Sequence, residues 1–393
     1  MKLRTTVGAL LDAFALTSPT LDKKGSSANL YLNANEKLGF LYLYSTNLFS
    51  ETATKIKAEI ETPGEVLVNP GKLADGLSGL PRETAVSLVL TPTANSLKVQ
   101  AGTVKFSLAA NTSVRELGDK MKAIPSKLPP VAIIPVDEMI EFTKRSGFCI
   151  PNDQTGQRAN LAALKLSTSD EREEAFATDG SIVVHITSAK KQSKGDGLGA
   201  TGLLIPAQAL QALTSIVAKK KGETVSVILT EKKNKVFFKF ADGTHFGALT
   251  MATPYPNLKV ITDQPMTFLF DIPRELFKQS LTRASSFVPS SASKRILELE
   301  IGTEMIALKA NGDDSLSDTV AITYKGNKPA EAVKMGMNID HLFNIASGSP
   351  SENLTFGFAS SDKPLIVTDK VGEDDDQINV KYVVMGVRLG QAK

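Results

Sequence analysis

One short pattern recurs along the chain at nearly even intervals and limits what the chain can fold into. It consists of a brief apolar stretch, then Pro or Asn, then roughly ten residues with the apolar spacing of a helix. Four copies carry a proline: VLVNPGKLADGL (66–77), VAIIPVDEMIEF (131–142), LLIPAQALQAL (203–213) and FLFDIPRELFKQSL (268–281). Their prolines are 65, 71 and 67 residues apart, a proline-free copy occupies 333–346, and residues 1–14 fit as the first member. Self-similarity at a fixed period indicates repeated building blocks, so the sequence predicts six units of one design.

The content of each unit follows from local patterns. Proline suits the first helical turn, where the amide hydrogen that it lacks would have no partner, so each proline marks a strand-to-helix junction. Asp179-Gly180 and Asp242-Gly243 are typical of tight hairpin turns. Apolar and polar residues alternate with the period of half-buried strands in 29–45, 96–108, 224–231, 235–249 and 381–389. We therefore predict that each unit contains a strand, a helix and several antiparallel strands, and that the chain has an α+β fold.

The length of a unit predicts the domain organisation. A unit of roughly 65 residues buries too little surface to be comfortable alone. Paired units give three domains, for which we predict the ranges 1–127, 128–262 and 263–393. The expected linkers, 123–130 and 253–265, are polar and contain proline, as domain boundaries commonly do.

Composition argues against several classes of protein. The single cysteine, Cys149, leaves no intramolecular disulfide, and the three histidines lie far apart without the spacing of metal ligands. Asp12 interrupts the apolar N-terminal stretch, which predicts an amphipathic helix rather than a signal peptide. No stretch approaches the roughly 18 apolar residues of a transmembrane helix. We expect a cytoplasmic protein without a metal, a cofactor or catalytic residues.

The charge distribution limits how the chain can hold nucleic acid. The net charge is +3, with 15 basic and 11 acidic residues in 1–127, 16 and 13 in 128–262, and 14 and 18 in 263–393. A dedicated nucleic-acid-binding domain is usually far more basic. If DNA is the partner, the attraction is weak or confined to one face.

Several stretches, in their order and spacing, resemble the bacterial-type DNA sliding clamp, the beta subunit of DNA polymerase III. They are VLVNPGKLADGLSGLP (66–81), SLKVQAGTVKFSL (96–108), AFATDGSIVV (175–184), TPYPNLKVI (253–261) and YVVMGVRL (382–389). The resemblance covers essentially the whole chain and would suit a phage-encoded clamp. It implies three domains of two strand–helix–sheet units each, with helices facing a central hole and sheets outside.

A clamp of this family is a non-enzymatic processivity factor that tethers DNA polymerase to duplex DNA. The resemblance implies a head-to-tail homodimer ring that a clamp loader places on DNA, and contacts with the DNA backbone that carry no sequence information. Basic residues on or just after the predicted helices are the candidates for facing DNA. They are Lys23, Lys24, Lys72, Lys144, Arg145, Arg158, Lys219, Lys220, Lys221, Lys278 and Arg283. The alternative for each is a solvated or helix-capping charge, as the sequence AKKKG at 218–222 suggests.

The resemblance also implies a pocket between the middle and last domains, where polymerase and loader insert a short extended peptide. Carried over residue by residue, the pocket comprises Thr178, Gly180, Val183, Pro256, Val260, Ile261, Val383, Met385, Val387 and Arg388. The alternative for its apolar members is ordinary core packing. Ser181-Ile182 stand where the family commonly has His-Arg, Gly386 replaces a proline, and four residues follow Leu389. We therefore expect the peptide preference to differ from that of a bacterial host's clamp.

Two other functions stay open at this point. A β-rich viral structural or assembly protein would also use internal repeats, and an enzyme could be built on repeated α+β domains. A stable dimer of twice 42.0 kDa favours the clamp.

Overall fold

The computed structural model describes residues 1–22, 28–47, 49–91, 93, 95–125, 128–151, 156, 158–189, 191, 197–289, 295–311, 314–372, 377–387 and 389. Within these ranges the helices are α1 (Val7–Thr17), α2 (Pro70–Leu77), α3 (Arg115–Lys122), α4 (Val136–Ser146), α5 (Ala207–Val217), α6 (Lys259–Thr262), α7 (Arg274–Ser285) and α8 (Ile339–Gly348). The strands of the N-terminal part are β1 (Lys2–Thr6), β2 (Leu30–Asn35), β3 (Phe40–Thr46), β4 (Ser50–Lys57), β5 (Glu59–Thr62), β6 (Gly64–Val68), β7 (Ala85–Thr91), β8 (Ser96–Ala101) and β9 (Val104–Asn111). Those of the middle are β10 (Ala132–Pro135), β11 (Ala163–Ser169), β12 (Arg172–Thr178), β13 (Ile182–Thr187), β14 (Leu203–Pro206), β15 (Thr224–Leu229), β16 (Lys235–Phe240) and β17 (His245–Leu249). The C-terminal strands are β18 (Phe268–Pro273), β19 (Ile296–Ile301), β20 (Met305–Asn311), β21 (Ser315–Ala321), β22 (Thr323–Tyr324), β23 (Val333–Asn338), β24 (Asn353–Phe358), β25 (Leu365–Val371) and β26 (Ile378–Val384).

The six predicted units are confirmed. Each contains a leading strand, a helix and three antiparallel strands, to which the first unit adds the short β5 and the fifth the two-residue β22. The leading strands are β1, β6, β10, β14, β18 and β23. The helices that follow them are α1, α2, α4, α5, α7 and α8. Both predicted hairpin turns are also present: Asp179-Gly180 joins β12 to β13, Asp242-Gly243 joins β16 to β17, and each glycine has a positive φ.

A recurring hydrogen bond anchors the start of these helices. The backbone N–H of the first helical residue donates to the carbonyl just before a strand of the neighbouring unit, at 2.9–3.0 Å. The five bonds are Val7 to Thr84, Val136 to Glu223, Ala207 to Ala162, Arg274 to Glu352 and Ile339 to Arg295. The sixth helix begins at Pro70, which has no N–H to donate. Five of the six junctions are therefore anchored in the same way.

Proline takes two positions at these junctions. Pro70 lies in the first turn of α2 as predicted, and the Asn69 side chain caps this helix by accepting from the N–H of Lys72 at 3.0 Å. Pro135, Pro206 and Pro273 instead end the strands before α4, α5 and α7. A strand terminus tolerates proline because the ladder requires no further donor there.

Units are interlocked in pairs through their leading strands. β1 pairs with β7 and β6 with β2, so each leading strand of the first pair belongs to the sheet of the other unit. The same exchange joins β10 to β15 and β14 to β11, and then β18 to β24 and β23 to β19. The three exchanging pairs comprise β1–β9, β10–β17 and β18–β26.

The chain also divides into two compact units, each larger than a repeat unit, and their limits differ from those of the three predicted domains. One comprises Met1–Ile140 with Gln208–Met251, and the other comprises Glu141–Ala207 with Ala252–Lys393. In the first, β17 pairs with β4. This pairing joins β10, β15, β16 and β17 to the strands of the N-terminal part in one sheet. In the second, β13 pairs with β26 in the same manner. The domain limits 1–127, 128–262 and 263–393 stay a prediction.

The helices supply one apolar face to each core. In the first compact unit, α1 contributes Val7, Leu10 and Phe14, and α2 contributes Leu73 and Leu77, all buried against inward-facing side chains of the strands. In the second, α7 and α8 pack against each other. Outside the predicted pattern, α3 covers another face of the N-terminal sheet, where Leu117 joins Tyr31 and Tyr44.

Candidate functional site

The predicted pocket has a continuous floor on one face of a sheet. Val183 of β13 is directly opposite Val383 of β26, and Val383 is directly opposite Ile366 of β25. These three side chains form one buried cluster with Phe176 and Leu258. Because successive residues of a strand point to opposite faces, this register places the three on the same face.

The segment that follows β17 forms a wall over this floor. Ile261, Tyr255 and Met266 pack against the cluster, and α6 lies within the segment. Val260, on the same helix, is 65% exposed and Pro256 is also exposed, so both are available to a ligand. Val183 and Val383 are buried, as the core-packing alternative expects, and their place beneath a peptide pocket stays a prediction.

The β12–β13 turn forms one edge of the pocket and is held in a single conformation. The hydroxyl of Thr178 donates to the carbonyl of Ile182 at 2.6 Å and accepts from the N–H of Gly180 at 3.0 Å. Gly180 has φ +89°, a left-handed conformation that favours glycine. The carboxylate of Asp179 accepts from the N–H groups of Ser181 and Ile182 at 2.7 and 2.9 Å.

Two further side chains fix this turn from outside. Nη1 of Arg158 donates to the carbonyl oxygen of Asp179 at 2.8 Å, and Nε2 of His341 lies 3.2 Å from Oδ2 of Asp179. Burial alone would raise the pKa of Asp179, but the hydrogen bonds from His341, Ser181 and Ile182 hold it well below its usual range. The carboxylate is therefore an organising anion of the turn.

The C-terminal strand leads the chain past the same edge. The N–H of Met385 donates to the carbonyl of Ser181 at 2.9 Å, and the N–H of Val387 donates to that of Gly336 at 2.8 Å. Met385 is 44% exposed although it follows three buried residues of β26. Met385 thus lies beside the turn and Val387 beside β23, whereas Arg388 lies outside the described residues. Their membership of the pocket stays a prediction.

The DNA-facing candidates divide by exposure and pairing. Lys72, Lys144, Lys219 and Lys221 are exposed, Lys278 is half-buried, and none of them has an ion pair with a described residue. Arg283 is exposed but donates through Nε to Asp318 at 2.7 Å. Arg158 is exposed and belongs to the edge of the pocket. Lys23 and Lys24 lie outside the described residues.

The prediction that Arg145 faces DNA is wrong. Its side chain is 1% exposed and its Nε donates to Glu141 at 2.8 Å. Its Nη2 lies 3.0 Å from Oδ2 of Asp369, a carboxylate that is itself fully buried. A guanidinium enclosed in this way balances interior charge and does not reach a phosphate.

Lys220 is corrected for the same reason. Its side chain is 8% exposed and its ammonium group is bonded to the carboxylate of Asp242 in the β16–β17 turn. The bond holds the pKa of Asp242 low against the opposing effect of burial. Of the three consecutive lysines, only Lys219 and Lys221 are exposed.

Sequence reasoning missed several residues of the site. Phe176, Leu258 and Ile366 complete the pocket floor, and Asp179, Arg158 and His341 fix its edge. Period-2 alternation in 172–178 places Phe176 and Thr178 on one face, and that signal could have found Phe176. His341 comes from a helix far along the chain, and no local pattern indicates its position.

In the described part of the chain, no three His, Cys, Asp or Glu side chains are grouped in a way that could hold a metal ion. No described helix is both long and apolar enough to cross a membrane.

Comparison with known proteins extends the likeness to the full length of the chain. The chain is 24% identical to the beta sliding clamp of Caulobacter vibrioides, over 99% of this chain and all of that protein, and 22% identical to that of Synechococcus elongatus, over 92% of each. No family model matches. Among solved structures, the DNA polymerase III subunit beta of Pseudomonas aeruginosa has a TM-score of 0.81 at 18% identity, covering 99% of this chain and 100% of that one. The Caulobacter crescentus beta sliding clamp has a TM-score of 0.81 at 22% identity, with the same coverage. These findings confirm the resemblance to bacterial-type clamps and the clamp fold.

Proposed function

We propose that this chain is a DNA sliding clamp, a non-catalytic processivity factor that encloses duplex DNA as a homodimer and tethers DNA polymerase to it. The full-length likeness to beta sliding clamps supports this function. The observation that carries it is how the third antiparallel strand of each unit is paired. These strands are β4, β9, β13, β17, β21 and β26.

Four of the six last strands are joined in two pairs, β4 with β17 and β13 with β26. Among the described residues, β21 pairs only with β20, and β9 pairs with β8 along its length but with β6 only at Ala110 and Asn111. An exposed edge strand is a template for pairing with another chain. Two copies that join β9 of one to β21 of the other would repeat the two joints already made within the chain and close a ring.

Enclosure explains the modest charge of the chain. A protein that neutralises many phosphates binds DNA tightly and in a salt-sensitive way, which would prevent sliding. We propose that Lys72, Lys144, Lys219, Lys221 and Lys278 face DNA, because their ammonium groups have no carboxylate partner among the described residues. We give Arg283 a weaker role, since Asp318 already neutralises it.

The apolar floor and its rigid edge suit a short extended peptide from DNA polymerase or from the clamp loader. Ile261, Val260 and Met385 offer apolar contact at the surface, over the buried side chains of Val183 and Val383. We place Thr178, Gly180, Pro256, Val387 and Arg158 at the rim of the pocket.

The decisive experiment measures topological linkage. We expect a stable dimer near twice 42.0 kDa in sedimentation. We also expect retention on nicked circular DNA only when a clamp loader and ATP are supplied, and release once the circle is linearised. Retention on linear DNA without a loader, abolished only by salt, would indicate ordinary electrostatic binding and contradict the proposal.

The proposed ring joint is tested by charge pairs on the two free edges. Ser107 of β9 and Thr319 of β21 are exposed. The variant S107K/T319K should dimerise more weakly than S107K/T319E, by about 1 kcal/mol at each of two joints or roughly 30-fold in dissociation constant. T62K/T319K, with its first lysine on β5, is the matched control. Equal dimer affinities for the two β9 variants would exclude this joint.

The pocket is tested by truncation. Removal of residues from Met385 onward leaves β26 complete, because this strand ends at Val384. We expect dimerisation to persist and stimulation of the polymerase to be lost. Undiminished stimulation by the truncated chain would refute the pocket.

A further inference from the structure

A cavity of about 360 Å³ lies beside the pocket floor and has a different chemical character. It is enclosed by β11, β12 and the segment Tyr255–Lys259. Phe176 and Leu258 line it, and both also belong to the apolar cluster of the pocket floor. An occupant of the pocket can therefore extend into the cavity across side chains that the two share.

Two ammonium groups face this cavity. Lys165 has no ion pair with a described residue, and its Nζ lies 5.9 Å from the centre of the Phe176 ring. Nζ of Lys259 donates to the hydroxyl of Ser169 at 3.0 Å and is 3.9 Å from Oε1 of Glu174. At 3.9 Å that carboxylate does not form a hydrogen bond with the lysine.

Glu174 is the one carboxylate among the described residues that line the cavity, and it is occupied elsewhere. Its Oε1 lies 3.1 Å from Nε2 of His185, and its side chain is 9% exposed. The His185 ring is stacked on Phe176 with ring centres 4.2 Å apart, which fixes the histidine beside the carboxylate. The lining thus carries two cations against one carboxylate that is already held.

A buried hydroxyl completes the lining. Ser167 is 2% exposed, lines the cavity, and makes no side-chain hydrogen bond with a described residue. The side chain lines the cavity together with the two lysines, so its hydroxyl can donate to an acceptor bound there. Ser167 is directly opposite Glu174 in the β11–β12 ladder, and Lys165 is directly opposite Phe176.

The sheet register relates the cavity to the pocket. On β12, Glu174, Phe176 and Thr178 point to the same face, and Thr178 is directly opposite Val183 of the pocket floor. The cavity therefore occupies the next rows of the same face, at the spacing of one extended dipeptide. An extended peptide that places an apolar side chain on Val183 can place a neighbouring side chain in the cavity.

We infer that this cavity binds the carboxylate of an acidic side chain in the partner peptide that occupies the pocket. Lys165, Lys259 and Ser167 supply the donors, and Phe176 and Leu258 cover the methylene groups. The inference rests on the proposed function, because it takes the pocket to be the peptide site. It adds a requirement for Asp or Glu next to the apolar anchor.

The test uses a phage-displayed library of random twelve-residue peptides, selected on the full-length protein. Four proteins are compared: the natural chain, K165A/K259A, V183D with a disabled pocket, and K334A as a control that loses a lysine in another sheet. Selected peptides are then synthesised with their acidic residue and with its amide counterpart, and binding is measured by fluorescence anisotropy.

We expect peptides selected by the natural chain, by K334A and by K165A/K259A to carry apolar anchors. We expect enrichment of Asp or Glu in the peptides selected by the natural chain and by K334A, but not in those selected by K165A/K259A. Replacing the acidic residue by its amide should weaken binding to the natural chain about tenfold and leave binding to K165A/K259A unchanged. Apolar anchors without acidic enrichment, or enrichment that persists in K165A/K259A, would overturn the inference and leave the pocket in place. Peptides whose binding survives V183D would overturn the pocket itself.

Discussion

Removal of the Asp369 carboxylate should destabilise the protein far more than removal of any exposed charge. Asp369 is fully buried and neutralises Arg145, whose side chain is 1% exposed. Its other oxygen accepts from the hydroxyl of Ser351, and Glu141, the remaining partner of Arg145, is 16% exposed. Breaking a buried ion pair from one side leaves an uncompensated charge and costs about 3–5 kcal/mol.

The assay is urea unfolding followed by circular dichroism at one protein concentration. For Asp369→Ala, a loss of about 3–5 kcal/mol at a slope of about 3 kcal/mol/M lowers the midpoint by about 1–1.7 M. Lys191→Ala is the control, because Lys191 and Glu171 form an exposed pair, and such pairs contribute only about 0–1 kcal/mol.

A double variant separates charge balance from simple loss of packing. R145M/D369L removes both buried charges and keeps most of the volume, and such replacements are often neutral or stabilising. We expect its midpoint to lie close to that of the natural chain and well above that of Asp369→Ala. A midpoint shift below about 0.3 M for Asp369→Ala, equivalent to about 1 kcal/mol, would refute the assignment of Arg145 to the interior.

Two other features give predictions of their own. In α2, a Cβ at Gly76 would lie 2.5 Å from the Phe106 ring, so Gly76→Ala should lower stability by about 1–3 kcal/mol in thermal unfolding. Gly71→Ala is the control, because its Cβ would meet only Asn69 Oδ1 at 3.4 Å. Equal melting temperatures for the two variants would refute the close packing. The lowered pKa of Asp179 means that its contribution to stability is present above the unfolded-state pKa of about 3.9 and is lost as pH falls below it. Asp179→Asn should therefore be less stable at neutral pH by about 1–3 kcal/mol, and the difference should begin to shrink below about pH 4 and go on shrinking as pH falls towards the folded-state pKa; a difference independent of pH in melting scans would contradict the role of the carboxylate.

The local parts of the fold could be predicted because their causes are local. Asn69-Pro70 defines the start of α2 through one cap and one ring, and alternation along 96–108 defines two strands. The exchange of leading strands could not be predicted, because either sheet of a pair can accept either strand in terms of pattern alone. Only packing of the whole pair decides between them.

The missed helix α3 shows a second limit. Most of its eight residues are good helix formers, but only Leu117 and Met121 are apolar and the segment lies outside the repeated strand–helix pattern. Leu117 packs over Tyr31 and Tyr44, and Gly118 lets the helix approach the hydroxyl of Tyr31. The tertiary contact that positions this helix could not be predicted from the repeat.

The two wrong predictions of DNA-facing residues have the same cause. Arg145 and Lys220 lie where a helix ends, which is typical of exposed charges that favour the helix dipole. Their burial depends on Asp369 and Asp242, acids on other elements that only the tertiary structure brings to them. In the pocket, by contrast, Val183 and Val383 were predicted because the stretches that contain them resemble the clamp family at the right spacing.

The exchange of leading strands also affects how the chain emerges from the ribosome. β1 cannot meet β7 until residue 91 has been synthesised. At about 5–20 residues per second, the edge of β1 that will pair with β7 stays open for several seconds, although its other edge can pair earlier with β5. The same delay recurs for β10 and β18, whose neighbours also arrive one unit later. A truncation that cuts through a pair of units would leave one strand without its partner and a gap in the other unit's sheet, whereas removal of a whole pair would not.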